Sequence, residues 1–153
     1  MCAPSSAVLL ALPDLAAAEA LAAAVASRTQ RGDAVLLEGP LGAGKTAFAR
    51  AFLRAATGDA ALEVPSPSFT LVQSYDTPLG LVHHFDLWRL DGPAAVIELG
   101  WDDARADIVL VEWPDRLGRL RPPDALTVAL EMAGGDARRA VLSGWPGRIE
   151  TLA

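Results

Sequence analysis

Apolar and polar positions along the chain follow two periods, and the changes of period mark its elements. Ala7 to Leu12 is a short apolar run that predicts a strand. Pro13-Asp14 interrupts it, and Asp14 stands where a helix N-cap belongs. The alanine-rich stretch that follows carries Leu15, Leu21 and Val25 and predicts a helix to about Arg28. Gln30-Arg31-Gly32-Asp33 turns into a second apolar run, Ala34 to Glu38. A glycine-rich segment comes next, then a helical stretch from Thr46 to about Ala56, closed by Thr57-Gly58-Asp59.

Strand character dominates the middle of the chain. Val64-Pro65-Ser66-Pro67 is extended, because each proline moves its predecessor out of the helical region. Ser68 to Tyr75 alternates and predicts a strand; Asp76 to Gly80 is a turn, and Leu81 to Phe85 returns as the second arm of a hairpin ending at Asp86. Asp91-Gly92-Pro93 opens a short helix over Ala94 to Leu99, and Gly100-Trp101-Asp102-Asp103 leads a second. Asp107 to Val111 has the apolar run of a strand buried on both faces. Ala125 to Met132 and Arg138 to Leu142 are strands around the turn Gly134-Gly135-Asp136. The alternation of strands and helices predicts one α/β domain over residues 1–153. Its sheet is mixed, with helices on both faces and antiparallel hairpins added.

The glycine-rich segment gives this fold its chemistry. Gly39, Gly44, Lys45 and Thr46 fill the pattern G-x-x-x-x-G-K-[ST], between an apolar run and a helix. That is a phosphate-binding loop in its required setting. Glycines let successive N–H groups close around an anion, and the following helix adds its positive end. Lys45 reaches the β- and γ-phosphates, and the Thr46 hydroxyl is a magnesium ligand. Of the thirteen basic residues, Lys45 is the only lysine. GTPases read guanine through an [NT]-K-x-D motif, which a chain with its one lysine at position 45 lacks, so ATP is the expected nucleotide.

A magnesium–nucleotide site needs carboxylates at strand ends. Ile108 to Val111 followed by Glu112 has the form of a strand delivering a metal-ligating acid. Asp86, at the end of the hairpin, is expected to share the metal shell or position a water. His84 shares a strand face with Asp86 and is a candidate to orient that carboxylate, whereas His83 points away and reads as structural. Ser66 and Ser68 lie in a proline-stiffened segment where hydroxyls can sense a γ-phosphate or magnesium. Trp113 follows the acid and is expected to shield the site or meet a partner, while Trp88, Trp101 and Trp145 read as packing residues.

Composition narrows the class. Hydrophobic residues make up 52% of the chain, enough for a packed core. A net charge of −6 argues against direct binding of DNA, bare tRNA or an anionic membrane. Cys2 is the only cysteine, so an internal disulfide and a cysteine zinc site are both excluded, and a cytoplasmic setting is expected. Ala7 to Leu12 lacks the charged region that precedes a signal segment, and nothing offers a membrane span.

Five motifs then come in series. They are Leu41 to Thr46, Ser66-Pro67-Ser68-Phe69-Thr70-Leu71-Val72, His84-Phe85-Asp86-Leu87-Trp88-Arg89-Leu90, Glu98-Leu99-Gly100, and Val111-Glu112-Trp113-Pro114. In order and spacing the chain resembles the TsaE (YjeE) family, the small ATPases of bacterial tRNA threonylcarbamoyladenosine synthesis. The resemblance implies slow magnesium-dependent ATP hydrolysis. It also implies association with a TsaB–TsaD pair, whose transfer complex is reset between rounds, so tRNA is met only through that complex. It matches Thr46 and Glu112 to magnesium ligands, Asp86 to a second functional acid that shares the metal, and Gly42, Ala43, Gly44, Lys45, Thr46 and Ala47 to the nucleotide loop. It also implies a late nucleotide-contacting arginine, Arg138 or Arg139. Three positions depart from the family's pattern: Ser68 replaces a threonine, Trp88 a tyrosine, and Ala18 a threonine of the first helix. Two other readings stay open, a nucleotide-dependent binding module with negligible turnover and a small-molecule kinase.

Overall fold

A computed structural model describes residues 7–152; Cys2 lies outside them. Strand β1 (Ala7–Leu12) leads to helix α1 (Leu15–Arg28), strand β2 (Ala34–Glu38) and helix α2 (Lys45–Thr57). The hairpin β3 (Val72–Thr77) and β4 (Gly80–Asp86) follows, then two short helices, α3 (Pro93–Glu98) and α4 (Trp101–Ala104). Strand β5 (Ile108–Glu112), a 3-10 segment over Pro114–Leu120, and the hairpin β6 (Leu126–Met132) and β7 (Arg138–Ser143) complete the sheet.

Seven strands form one sheet in the order β1-β7-β6-β2-β5-β4-β3. Its centre is parallel, because β2 pairs with both β5 and β6, and β5 with β4. Antiparallel pairing confines β3 and β1 to the edges, through β3–β4, β6–β7 and β1–β7. The mixed sheet with hairpin additions is the expected one.

The strand period of two divides the core into two layers. Val35 and Leu37 of β2, and Ile108 and Leu110 of β5, pack with Phe48, Phe52, Leu21 and Val25 of α2 and α1. Ala34 and Leu36, with Val109 and Val111, pack against Val96, Trp101, Ala104 and Leu117 on the opposite side. Helices therefore cover both faces. Parity also decides where the polar strand ends point. His84 and Asp86 share the parity of Val82, and Glu112 that of Leu110, so all three lie on the face covered by α2.

The local signals act as their chemistry requires. Asp14 caps α1, its side chain accepting from the Ala17 N–H at 2.9 Å. Helix α2 has no side-chain cap, since Gly44 precedes it at φ 100°. Its first N–H groups stay free for another acceptor. His83 is structural, as expected: Ser74 Oγ lies 2.7 Å from its Nδ1, and Asp107 Oδ2 lies 3.0 Å from its Nε2.

One expected strand is shorter than its pattern. β3 begins at Val72, and Ser68 to Leu71 form a turn. The Leu71 N–H bonds Pro67 O at 2.6 Å, and Leu71 O accepts from Asp86 N at 2.9 Å. The proline-bearing segment turns its hydroxyls toward the end of β4 instead of adding to the sheet edge. No helix among the described residues is long and apolar enough to cross a membrane.

Phe52 is fully buried between α2 and the sheet. Phe52→Ala is expected to cost about 3–5 kcal/mol of unfolding free energy, and Asp14→Ala about 1 kcal/mol. Urea denaturation of the two variants checks both values and their order.

Candidate functional site: a cleft over the phosphate loop

The loop between β2 and α2 has a shape only glycine permits at its first position. Gly39 has φ 147°, and a Cβ there would lie 2.6 Å from the Leu130 carbonyl oxygen and 3.1 Å from Ala43 Cβ. The carbonyl belongs to the backbone of β6 and cannot give way, so the loop passes β6 too closely for any side chain. Arg138 clamps the loop from β7. Its Nε donates to Ala43 O at 3.2 Å and its Nη2 to Gly42 O at 3.2 Å. Arg139 faces the other way and pairs with Glu131 at 3.3 Å. Arg138 is thus the arginine that reaches the loop.

The Lys45 ammonium lies back on the loop, donating to Gly39 O at 2.6 Å and Pro40 O at 2.9 Å. It also sits 4.1 Å from the Trp113 ring centroid, a cation–π distance. Burial pushes its pKa below the ordinary 10.5, and the carboxylates of Glu112, Asp86 and Asp115 push back.

The two acids meet because their strands do. Asp86 and Glu112 are direct partners across β4 and β5. Glu112, 2% exposed, accepts from Thr46 Oγ1 at 2.8 Å. Asp86 accepts from the Trp88 N–H at 3.1 Å and from Ser68 Oγ at 3.4 Å. Ser66 Oγ is 2.8 Å from Ser68 Oγ. His84 bonds Glu112, with Nε2 2.7 Å from Oε2, and not Asp86 as its sequence position predicts. Sharing a face with Asp86 does not decide the partner; the ring reaches diagonally across to β5.

These groups line one cleft of about 440 Å³, with Gly42, Gly44, Lys45, Thr46, Ala47, Ser66, Ser68, Asp86 and Glu112 in its walls. Trp88 and Arg89 also line it. Trp88 is therefore not a simple packing residue. It is 48% exposed and stacks on Trp113 at 4.4 Å between centroids. Trp101 and Trp145 are core residues. A second, more apolar cavity of about 260 Å³ adjoins the first through Gly44 and Ala47. Asp14, Leu15, Ala18, Phe48, Ala43, Leu130, Asp136 and Arg138 line it. Its apolar floor suits a flat ring, and Asp136 is a lining residue that no sequence motif marks.

The donor set fits a hard cation completed by phosphate. Thr46 and Glu112 supply oxygen donors, with Asp86 beside them. No group of three or more His, Cys, Asp or Glu converges on a metal position among the described residues. Magnesium is held in this way, by one or two carboxylates with substrate phosphates and water.

Comparison with known proteins places this geometry in a family. The profile of the family described as "Threonylcarbamoyl adenosine biosynthesis protein TsaE" matches residues 12–141. The tRNA threonylcarbamoyladenosine biosynthesis protein TsaE of Rickettsia felis is 36% identical over 119 residues, covering 77% of this chain and 69% of that protein. Its counterpart in Bacillus subtilis is 31% identical over 136 residues, 88% of this chain and 84% of that protein. Among solved structures, the crystal structure of YdiB from Bacillus subtilis superposes with a TM-score of 0.78 at 27% identity, covering 99% of this chain and 94% of that one. The chain belongs to the TsaE family of threonylcarbamoyl adenosine biosynthesis proteins, built on a phosphate-loop fold.

Proposed function

We propose that this chain is a magnesium-dependent ATPase that services tRNA threonylcarbamoyladenosine synthesis in the cytoplasm, acting on a TsaB–TsaD pair and resetting it between rounds. One observation carries the ATPase reading. Lys45 and Thr46 from the loop, and Asp86 and Glu112 from two adjacent strand ends, line a single cleft beside an uncapped helix N-terminus. Family membership supplies the pathway.

In this reading the triphosphate lies over Gly42 to Ala47, with the base in the cavity floored by Ala18 and Phe48. Lys45 leaves the Gly39 and Pro40 carbonyls and moves onto phosphate oxygens. Thr46 and Glu112 would hold the magnesium ion, with Asp86 beside Glu112 on the next strand, and the ion would supply neutralisation of the phosphate charge. Asp86, fixed by the Trp88 N–H and Ser68, positions the attacking water. Arg138 keeps the loop closed against β7.

A nucleotide-gated docking module is the second reading, and the rim of the cleft favours keeping it. Leu41 is exposed there and Phe69 is 83% exposed on the Ser66–Leu71 segment, with Arg89 stacked 4.7 Å away. Nucleotide at the adjacent hydroxyls would set the conformation of that apolar tip. Pulldown of a TsaB–TsaD pair with ATP, with ADP and without nucleotide tests the gating. Capture that ignores nucleotide overturns it.

Lys45→Ala is expected to remove nucleotide binding, and Glu112→Ala or Asp86→Ala to lower ATP turnover about a hundredfold or more while binding survives. Gly39→Ala should lose binding through distortion of the loop. Magnesium-dependent phosphate release, measured with and without the TsaB–TsaD pair, checks these, and normal turnover in Glu112→Ala overturns the metal assignment. Phosphate transfer that needs an added acceptor would instead indicate a kinase.

The lowered pKa of Lys45 gives a pH dependence of stability. The unfolded chain holds this proton more tightly than the folded one. Measured against Lys45→Met, the nucleotide-free protein should therefore carry its full deficit below the native pKa and recover it as pH rises toward 10.5. Urea unfolding of both proteins across that range reads the effect; a difference that moves the other way refutes it.

A further inference from the structure

We infer that His84 is a positioning residue for the metal-facing carboxylate, holding Glu112 so that one defined oxygen is turned to Thr46. The inference rests on the magnesium–nucleotide reading of the cleft and adds a group outside the loop and the two acids.

The two oxygens of Glu112 have different partners. Oε1 accepts from Thr46 Oγ1 at 2.8 Å, and Oε2 lies 2.7 Å from His84 Nε2. A carboxylate only accepts, so Nε2 carries the hydrogen and His84 donates. The ring is fully buried, at 0% exposure. Its Nδ1 has no hydrogen-bond partner among the described residues. A hydrogen there would be an orphaned buried donor, so the apolar surroundings select the tautomer that serves Glu112. The contact therefore runs in one direction, from ring to carboxylate.

Sheet geometry explains why this residue is needed. Asp86 and Glu112 are direct cross-strand partners, and like charges at such positions repel. Asp86 is held away by its own donors, Ser68 and the Trp88 N–H. Among the described residues the Glu112 carboxylate has no backbone N–H partner. Without the ring its carboxylate is free to rotate, to exchange its oxygens and to leave Oε2 unpaired in the core. His84 faces Leu110 across the ladder, two residues behind the acids and on their face, so its ring reaches Glu112 diagonally. Partners that hold a ligating carboxylate typically govern metal affinity by about 10–100-fold.

The test is Mn²⁺ affinity by electron paramagnetic resonance on the ATP-bound protein, beside ATP affinity in EDTA. His84→Leu is expected to weaken Mn²⁺ binding about 10–100-fold and leave EDTA-state ATP affinity unchanged. His84→Gln, whose amide N–H₂ reaches the place of Nε2, is expected to recover most of it. His84→Asn, one methylene shorter, is expected to behave like His84→Leu, and it carries the test if the leucine variant does not fold. Wild-type Mn²⁺ affinity in His84→Leu or His84→Asn overturns the inference, as does equal weakening in His84→Gln and His84→Asn. A wild-type protein that binds neither ATP nor Mn²⁺ refutes the magnesium–nucleotide reading itself.

Discussion

A carboxylate is buried at the end of β5, a parallel strand next to the centre of the sheet, and the surrounding structure is arranged to satisfy it. Burying such a group without partners is costly, and Glu112 escapes that cost through two donors from opposite sides. Thr46 comes from the first turn of α2 and His84 from β4. The hydrogen bonds of one acid thus tie together the loop, the helix behind it and two strands. Lys45 adds an ammonium in the same low-exposure region, where burial disfavours its charge and the neighbouring carboxylates favour it.

The loop itself is shaped by what presses on it. β6 approaches Gly39 so closely that no side chain fits, and Arg138 of β7 holds the carbonyls of Gly42 and Ala43. The late hairpin is therefore part of the site and not an ornament on the sheet edge. It also supplies Leu130, Asp136 and Arg138 to the second cavity, while the start of α1 supplies Asp14, Leu15 and Ala18. The phosphate-binding chemistry is local, but the space for the remainder of a nucleotide is built from both ends of the chain.

Where the chain pattern misled, the cause is specific. Ser68 to Leu71 alternates like a strand, yet Pro67 O captures the Leu71 N–H and closes a turn. That turn is what delivers Ser68 to Asp86. Trp88 reads as one more packing aromatic, yet it stands in the cleft wall against Trp113, which a left-handed backbone at φ 59° aims over Lys45. The 3-10 segment after it escapes the periodic signals because it is too short for a helical stripe, although Trp113-Pro114 marks its start.

Sequence alone determined the loop, the strand before it and the helix after it, the two acids and the family resemblance. Those are local or periodic properties: a glycine spacing, an apolar run, a parity of two. Tertiary structure decided which groups touch. Parity placed His84 and Asp86 on one face, but only the pairing of β4 with β5 set Glu112 opposite Asp86 and brought the histidine ring to Glu112. In the same way, two adjacent arginines near the end of the chain are equivalent in sequence. The alternation of side chains along β7 turned Arg138 to the loop and Arg139 to Glu131. Distances between residues far apart in the chain follow from strand order and register, which no local pattern encodes.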